Sequence, residues 1–194
     1  MRALLAAVVL LIAVPAAAES DTANIFDMLG WDTNSKQLYL RDCQTEKGPW
    51  DLWTVDFKDP KRPNIAIRPL EKKKDTPEGL KVVKSIQLDE VQLSGSIRKE
   101  QLERSVNSLI KRYDMRVIIE WNGARTVSDF ISYRSPEMQL MEMFEVPETS
   151  CAMAIISWSA HLTGVQKQRA LVVCPDERGI GKPLEGKGEK PPKK

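Results

Sequence analysis

Apolar and polar residues alternate in short runs along most of this chain, and a period of two predicts β-strands. Lys36–Cys43 sets Leu38 and Leu40 against Gln37, Tyr39 and Arg41, and Leu52–Lys58 sets Trp53, Val55 and Phe57 against Thr54 and Asp56. Glu46-Lys47-Gly48-Pro49 lies between them as a turn cluster, so the two runs read as a hairpin. Pro60 and Pro63 interrupt the pattern, and Asn64–Arg68 resumes it with Ile65 and Ile67. Glu71–Gly79 reads as an exposed loop, Leu80–Leu93 as a bent strand or two strands, and Ile25–Leu29, stopped at Gly30, as a short helical turn.

Between Lys99 and Tyr113 the period changes. Leu102, Val106, Leu109, Ile110 and Tyr113 recur at spacings of three and four, which predicts an amphipathic helix with Lys99, Glu103, Lys111 and Arg112 on its polar face. Ser96 is placed to cap its start. Arg116–Trp121 follows as a strand expected to be buried on both sides, and Asn122-Gly123 supplies a strong hairpin turn into Val127–Tyr133. Met138–Val146, Ala152–Trp158 and Gln168–Val173 complete the strands. The expected fold class is α+β, a mainly antiparallel β-sheet meander with one amphipathic helix packed on it.

The ends of the chain differ from this body. Arg2, the apolar run Ala3 to Val14 and the small residues Ala16-Ala17-Ala18 have the layout of a secretory signal peptide, with cleavage expected after Ala18. The run is shorter than the roughly 20 apolar residues a spanning helix needs. Residues 19–178 then form a single mainly-β domain, and residues 179–194, with five Lys and two Glu, form a basic tail expected to be disordered. No stable membrane insertion is expected after cleavage, and the location is periplasmic or secreted.

The whole chain carries 29 basic and 27 acidic residues. With the tail set aside the body is close to neutral, which argues against a nucleic-acid groove. Three cysteines fit an oxidising compartment, where a pair of them is expected to be joined. If the hairpin after Ala152–Trp158 turns near Leu162 and Thr163, Cys151 and Cys174 face one another and form the disulfide. Cys43 is then the odd one, either buried as a small hydrophobe or paired with a partner chain.

Candidate chemistry is sparse. Gly181-Lys182-Pro183-Leu184-Glu185-Gly186-Lys187-Gly188 imitates a phosphate loop, but Gly188 replaces the magnesium-binding hydroxyl and Pro191-Pro192 prevent the following helix. Met138, Met141, Met143, Met153 and the single histidine, His161, have the softness copper(I) prefers. Strand alternation nevertheless separates Met138 from Met141 and places Met141 with Met143. These two methionines, with Trp50 and Trp53, make a possible binding surface, and Trp50 beside Pro49 is the best sugar-stacking candidate. A serine triad would have to use His161, and no nucleophile-elbow motif is present. Asp51, Asp56, Asp59, Glu120 and Glu142 are available carboxylates without evident pairing. No catalytic residues, cofactor or metal are assigned.

Trp31, the Asn34-Ser35-Lys36 turn, Leu38-Tyr39-Leu40, Gly48, Asp51-Leu52-Trp53, Val55-Asp56 and Pro63 together resemble one repeat of a TolB-type β-propeller over residues 31–65. The resemblance implies part of a β-blade there, and no family function is carried over. Residues 121–158 loosely repeat the same order of Trp, strands and Pro. The function expected from these readings is a secreted or periplasmic non-catalytic accessory or binding protein that recognises another envelope protein. The alternatives are a carboxylate-dependent glycan hydrolase and a carbohydrate or small-ligand binding module.

Overall fold

The computed structural model describes residues 25–43, 50–59, 63–70, 77–105 and 107–175. The expected signal segment, the Glu46–Pro49 cluster read as a turn and the basic tail lie outside the described residues, as does most of the Glu71–Gly79 stretch.

Among the described residues, ten antiparallel strands form three sheets. The first sheet is a meander of β1 (Ile25–Asp32), β2 (Gln37–Cys43), β3 (Trp50–Asp56) and β4 (Asn64–Leu70). The third sheet contains β5 (Gln92–Arg104), β6 (Leu109–Trp121) and β7 (Ala124–Tyr133). Between these two lies a middle sheet of β8 (Met138–Glu145), β9 (Ala152–Ser159) and β10 (Gln166–Val173) in the order β10-β9-β8.

Two hydrophobic cores fix this layering. On one side Met153 and Ile155 of β9 and Ala170 and Val172 of β10 meet Phe26, Trp31, Leu38, Leu40 and Val55 of the first sheet. On the other side Ala154, Ile156 and Trp158 of β9 and Leu171 and Val173 of β10 meet Met115, Val117, Ile119 and Phe130 of the third. Every residue of β9 is buried, so its apolar run Ala152–Ile156 serves both faces of one strand.

The amphipathic helix expected over Lys99–Tyr113 does not form. That segment is the end of β5, a link from Ser105 to Ser108 in which Val106 lies outside the described residues, and the start of β6. The backbone N–H of Ser105 donates to the Ser108 carbonyl at 2.8 Å and closes the link. A helix would bury Leu102 and Leu109 on one stripe, whereas they are 62% and 65% exposed while Ile110 and Tyr113 are buried. The three-and-four spacing therefore arises from two strands of alternating residues joined out of phase by that link. Lys111 pairs with Glu100 at 2.8 Å and Arg112 with Glu103 at 2.9 Å across the hairpin, ion pairs that support strand pairing. Ser96 sits within β5 opposite Arg116 and caps nothing. Among the described residues the helical content is a single 3-10 turn, Leu88–Glu90, so the fold is all-β rather than α+β.

Three further expectations need correction. Ile25–Leu29 belongs to β1, with a register shift between Met28 and Gly30. Leu80–Val91 contributes isolated bridges, Trp31 with Lys81 and Ser85 with Phe144, and strand structure resumes at Gln92. β6 is buried on one face, with Arg116 and Glu120 exposed on the other, and β9 is the doubly covered strand. The strands described within residues 31–65 fall within one sheet, whereas those within residues 121–158 are divided between the third and middle sheets.

Other local readings hold. Asn122 and Gly123 adopt φ of 46° and 76° and join β6 to β7. Between β1 and β2 the Asp32 carboxylate accepts from the Asn34 backbone N–H at 2.8 Å and the Ser35 hydroxyl at 2.7 Å, while Lys36 takes φ 57°. Val173 faces Ala152, and one step further Cys151 and Cys174 lie at disulfide-bonding distance with Cα atoms 4.2 Å apart. Cys43 is a buried free thiol whose pKa burial pushes up.

Gly30 permits a close backbone approach at the edge of the first sheet. It has φ +140°, and a Cβ there would sit 2.6 Å from the Lys81 carbonyl oxygen and 2.9 Å from Leu80 Cβ. The next residue, Trp31, exchanges two 2.9 Å backbone hydrogen bonds with Lys81, so the crossing segment has little room to retreat. Gly30→Ala should cost at least about 1–3 kcal/mol of unfolding free energy in urea titration. A change within about 0.5 kcal/mol, as at an ordinary surface site, would show that the crossing segment yields freely.

Candidate functional site

A cleft of about 910 Å³ opens where the three sheets converge. β1, β2 and β3 contribute Phe26, Asp42 and Trp53, and the end of β9 and its turn contribute Trp158, Ala160 and His161. β10 contributes Lys167, Gln168 and Arg169, while β5, β6 and β7 supply Arg98, Lys99, Arg112, Asp114, Asp129, Phe130, Ile131 and Tyr133.

The aromatic walls are built by pairs. Phe26 and Trp53 meet edge to face at 5.2 Å, and Phe130 and Trp158 do so at 4.8 Å. The Trp158 ring N–H donates to the Ile131 carbonyl at 2.9 Å, which fixes the ring orientation. The Arg169 guanidinium lies 5.1 Å from the Phe130 ring centre and 5.8 Å from that of Trp158, a cation–π arrangement. The neighbouring Gln168 accepts the Phe26 backbone N–H at 2.9 Å and ties the edge of the first sheet to β10. At the lip, Arg134 donates to the Leu162 carbonyl at 2.9 Å and holds the β9–β10 turn that carries His161.

Charge in the cleft is organised rather than scattered. Arg116 grips Asp129 with two hydrogen bonds of 2.9 and 3.2 Å, and Arg98 reaches the same carboxylate at 3.1 Å. The Arg116 hydrogen bond, with Arg98 nearby, holds the Asp129 carboxyl below its usual range. Arg112 contacts Glu103 at 2.9 Å and Asp114 at 3.2 Å, and the Glu103 hydrogen bond pushes its own pKa up. Because the folded pKa of Asp129 is depressed, its contribution to stability is complete above the unfolded value and disappears as pH falls through the folded one. The stability gap between wild type and Asp129→Asn should therefore shrink between about pH 7 and about pH 2.5. A gap of constant size across that range would remove this account of the cluster.

Comparison of the chain with protein-family models, curated proteins and solved structures gives no match. The geometry must therefore carry the reading.

Of the four residues proposed as a binding surface, Trp53 alone lines the cleft. Trp50 is three positions away on the same strand and projects from the other face, opposite Cys43 and Leu70. Met143 is buried in the second core, while Met141 is 43% exposed. A register shift between Leu140 and Glu142 separates these two methionines, overturning the expectation that they share a face. Met153 belongs to the first core and His161 to the cleft lip, so the proposed copper ligands are dispersed. No cluster of three or more His, Cys, Asp or Glu suited to a metal occurs among the described residues.

Asp51, Asp56, Asp59, Glu120 and Glu142 are not part of the cleft lining. Sequence reasoning missed Phe26, Phe130, Lys167, Gln168 and Arg169. One signal was present: β10 is polar over Gln166–Arg169 and apolar over Ala170–Val173, a division that marks where the strand leaves the core and enters the cleft. The disulfide-distance pair fits an oxidising, non-cytoplasmic compartment. No helix among the described residues is long and apolar enough to cross a membrane.

Proposed function

We propose that this is a non-catalytic binding protein of the periplasm or extracellular space that recognises another envelope protein through the cleft between its three sheets. The observation that carries this reading is the pairing of preformed aromatic walls with fixed cationic groups in one concave site. Concave, aromatic-rich surfaces with a few oriented polar groups are typical of recognition sites. Asp129, held ionised by its arginines, is unsuited to the general-acid role that a glycan hydrolase needs.

The test is site-specific photo-crosslinking in the native host. A photoreactive residue at Ile131, 44% exposed in the cleft lining, should trap one dominant envelope protein. The same probe at Leu109, at the start of β6 and 65% exposed outside the cleft lining, should not. Equal adducts from both positions, or none from Ile131, would count against the proposal.

A further inference from the structure

We propose that the outer edge of β5 pairs with β5 of a second copy of this chain, about a two-fold axis at Leu102, so that the two third sheets become one continuous sheet. The contact lies outside the cleft lining, which contains none of residues 100–104, and it stands whether or not the cleft is the recognition site.

The first support is an uncovered edge. β5 is the terminal strand of its sheet and, among the described residues, pairs with β6 alone. None of its 13 residues is buried. Other sheet edges are occupied: Trp31 of β1 exchanges backbone hydrogen bonds with Lys81, and Met143 and Glu145 of β8 bond to Ile86 and Lys84. The Ile131 carbonyl of β7 accepts the Trp158 ring N–H, and β4 carries Pro69, which has no N–H to offer. An open row of backbone donors and acceptors is a template for another strand.

The second support is the phase of that edge. The Ser105 N–H bonds to the Ser108 carbonyl, and hydrogen-bonded and non-hydrogen-bonded pairs alternate along an antiparallel ladder. Gln101 and Glu103 therefore bond to β6, while Glu100, Leu102 and Arg104 direct their N–H and C=O groups outward. The Arg134 N–H bonded to the Lys111 carbonyl agrees, because it turns Lys111, the residue opposite Leu102, toward β7. A two-fold at Leu102 sets Leu102 against its own copy and Glu100 against Arg104 in both directions, so each hydrogen-bonded pair joins two outward-facing residues. The register shift between Ile97 and Lys99 bends the strand and ends the pairing there.

The third support is side-chain complementarity in that register. Arg104 is exposed and has no ion-pair partner among the described residues. Glu100 holds Lys111 at 2.8 Å through one carboxylate oxygen, and a carboxylate has a second oxygen to accept from Arg104 of the copy. Leu102 and Leu109, 62% and 65% exposed, are diagonal neighbours on one face of the hairpin, and the two-fold adds Leu102 of the copy to this apolar patch. Centring the pairing on Gln101 or Glu103 would instead set Leu102 against Glu100 or Arg104. A contact confined to residues 100–104 of each copy buries less than the roughly 1,200 Å² of a standard interface, so the dimer is weak and reversible.

The experiment is sedimentation of the protein purified from its host, over a concentration series reaching the high micromolar range, with oxidative trapping of cysteine variants alongside. A reversible monomer–dimer equilibrium is expected. Arg104→Glu should raise the dimer Kd at least tenfold, and the exchange Glu100→Arg/Arg104→Glu should bring it back to within about threefold of wild type. Leu102→Pro removes one outward N–H and no bond to β6, and it should leave monomer alone; the charge exchange keeps the test valid if this variant does not fold. Opposed residues of a hydrogen-bonded pair have Cα atoms about 5.5 Å apart, within reach of a disulfide, so Leu102→Cys should give a covalent dimer. Leu109→Cys, equally exposed but one strand further from the axis, should not. Monomer at every concentration, a dimer indifferent to the charge variants, or equal trapping at both positions would overturn the proposal. Trapping of a different protein at Leu102→Cys in place of the second copy would overturn the self-pairing as well.

Discussion

Ile155→Ala and Ile156→Ala, made singly, should each destabilise the protein by about 2–5 kcal/mol. These neighbours on β9 point to opposite faces, Ile155 into the core shared with the first sheet and Ile156 into the core shared with the third. Their exposures are 1% and 0%, so each truncation removes fully buried methylenes and leaves a cavity. In a two-layer sandwich one of them would face solvent, and its loss would cost within about 0.5 kcal/mol. Urea unfolding of the two variants therefore decides between two layers and three. One large and one negligible effect would refute the layering described above.

Removing the bridge between Cys151 and Cys174 should produce the second large effect. The cysteines are 23 residues apart in sequence, and opening a loop of that length restores about 3.5 kcal/mol of chain entropy to the unfolded state. For a domain of this size that corresponds to a fall in Tm of about 7–14 °C. Calorimetry of Cys151→Ala/Cys174→Ala checks it, and reductant added to the wild type should lower Tm similarly. The bridge closes one end of the β9–β10 hairpin, while Trp158, His161, Lys167 and Arg169 occupy the other end. The double variant should therefore keep its affinity for cleft ligands at temperatures where it remains folded. A loss of less than about 1 kcal/mol would mean that the paired strands already confine the unfolded chain, or that the bridge does not form.

Much of the sheet structure was legible because its signals are local. Asn122-Gly123 determined one hairpin, and a turn near Leu162 and Thr163 placed Cys151 opposite Cys174, in line with the observed register from Ala152–Val173 to Ser159–Gln166. Lys99–Tyr113 misled because the short link between its two strands, Ser105 to Ser108, contains no glycine or proline. Leu102 before it and Leu109 and Ile110 after it then fall at helical intervals. The Met141 irregularity misled in the reverse sense, since one additional residue in β8 reverses the parity on which facial assignments depend. The cleft was illegible for a different reason. Phe26 and Gln168 are 142 positions apart yet share a hydrogen bond, and no local pattern specifies such a meeting. Trp53 was singled out as a large aromatic, but nothing in its neighbourhood indicated that Phe26 would stand beside it or Arg169 would line the same space.

The position of the middle sheet also dictates when this chain can fold. Its strands come from residues 138–173, the last to leave the ribosome among those described, yet they supply one wall of each core. The four strands of the first sheet and the three of the third can pair earlier by their own turns, but each then has an apolar face without cover. Closure waits for Ala152–Val173, which inserts between two partly built halves and completes both together. A nascent chain that stalls before β9 thus presents two sticky surfaces at once, making the interval before its final strands emerge the period of greatest dependence on chaperones.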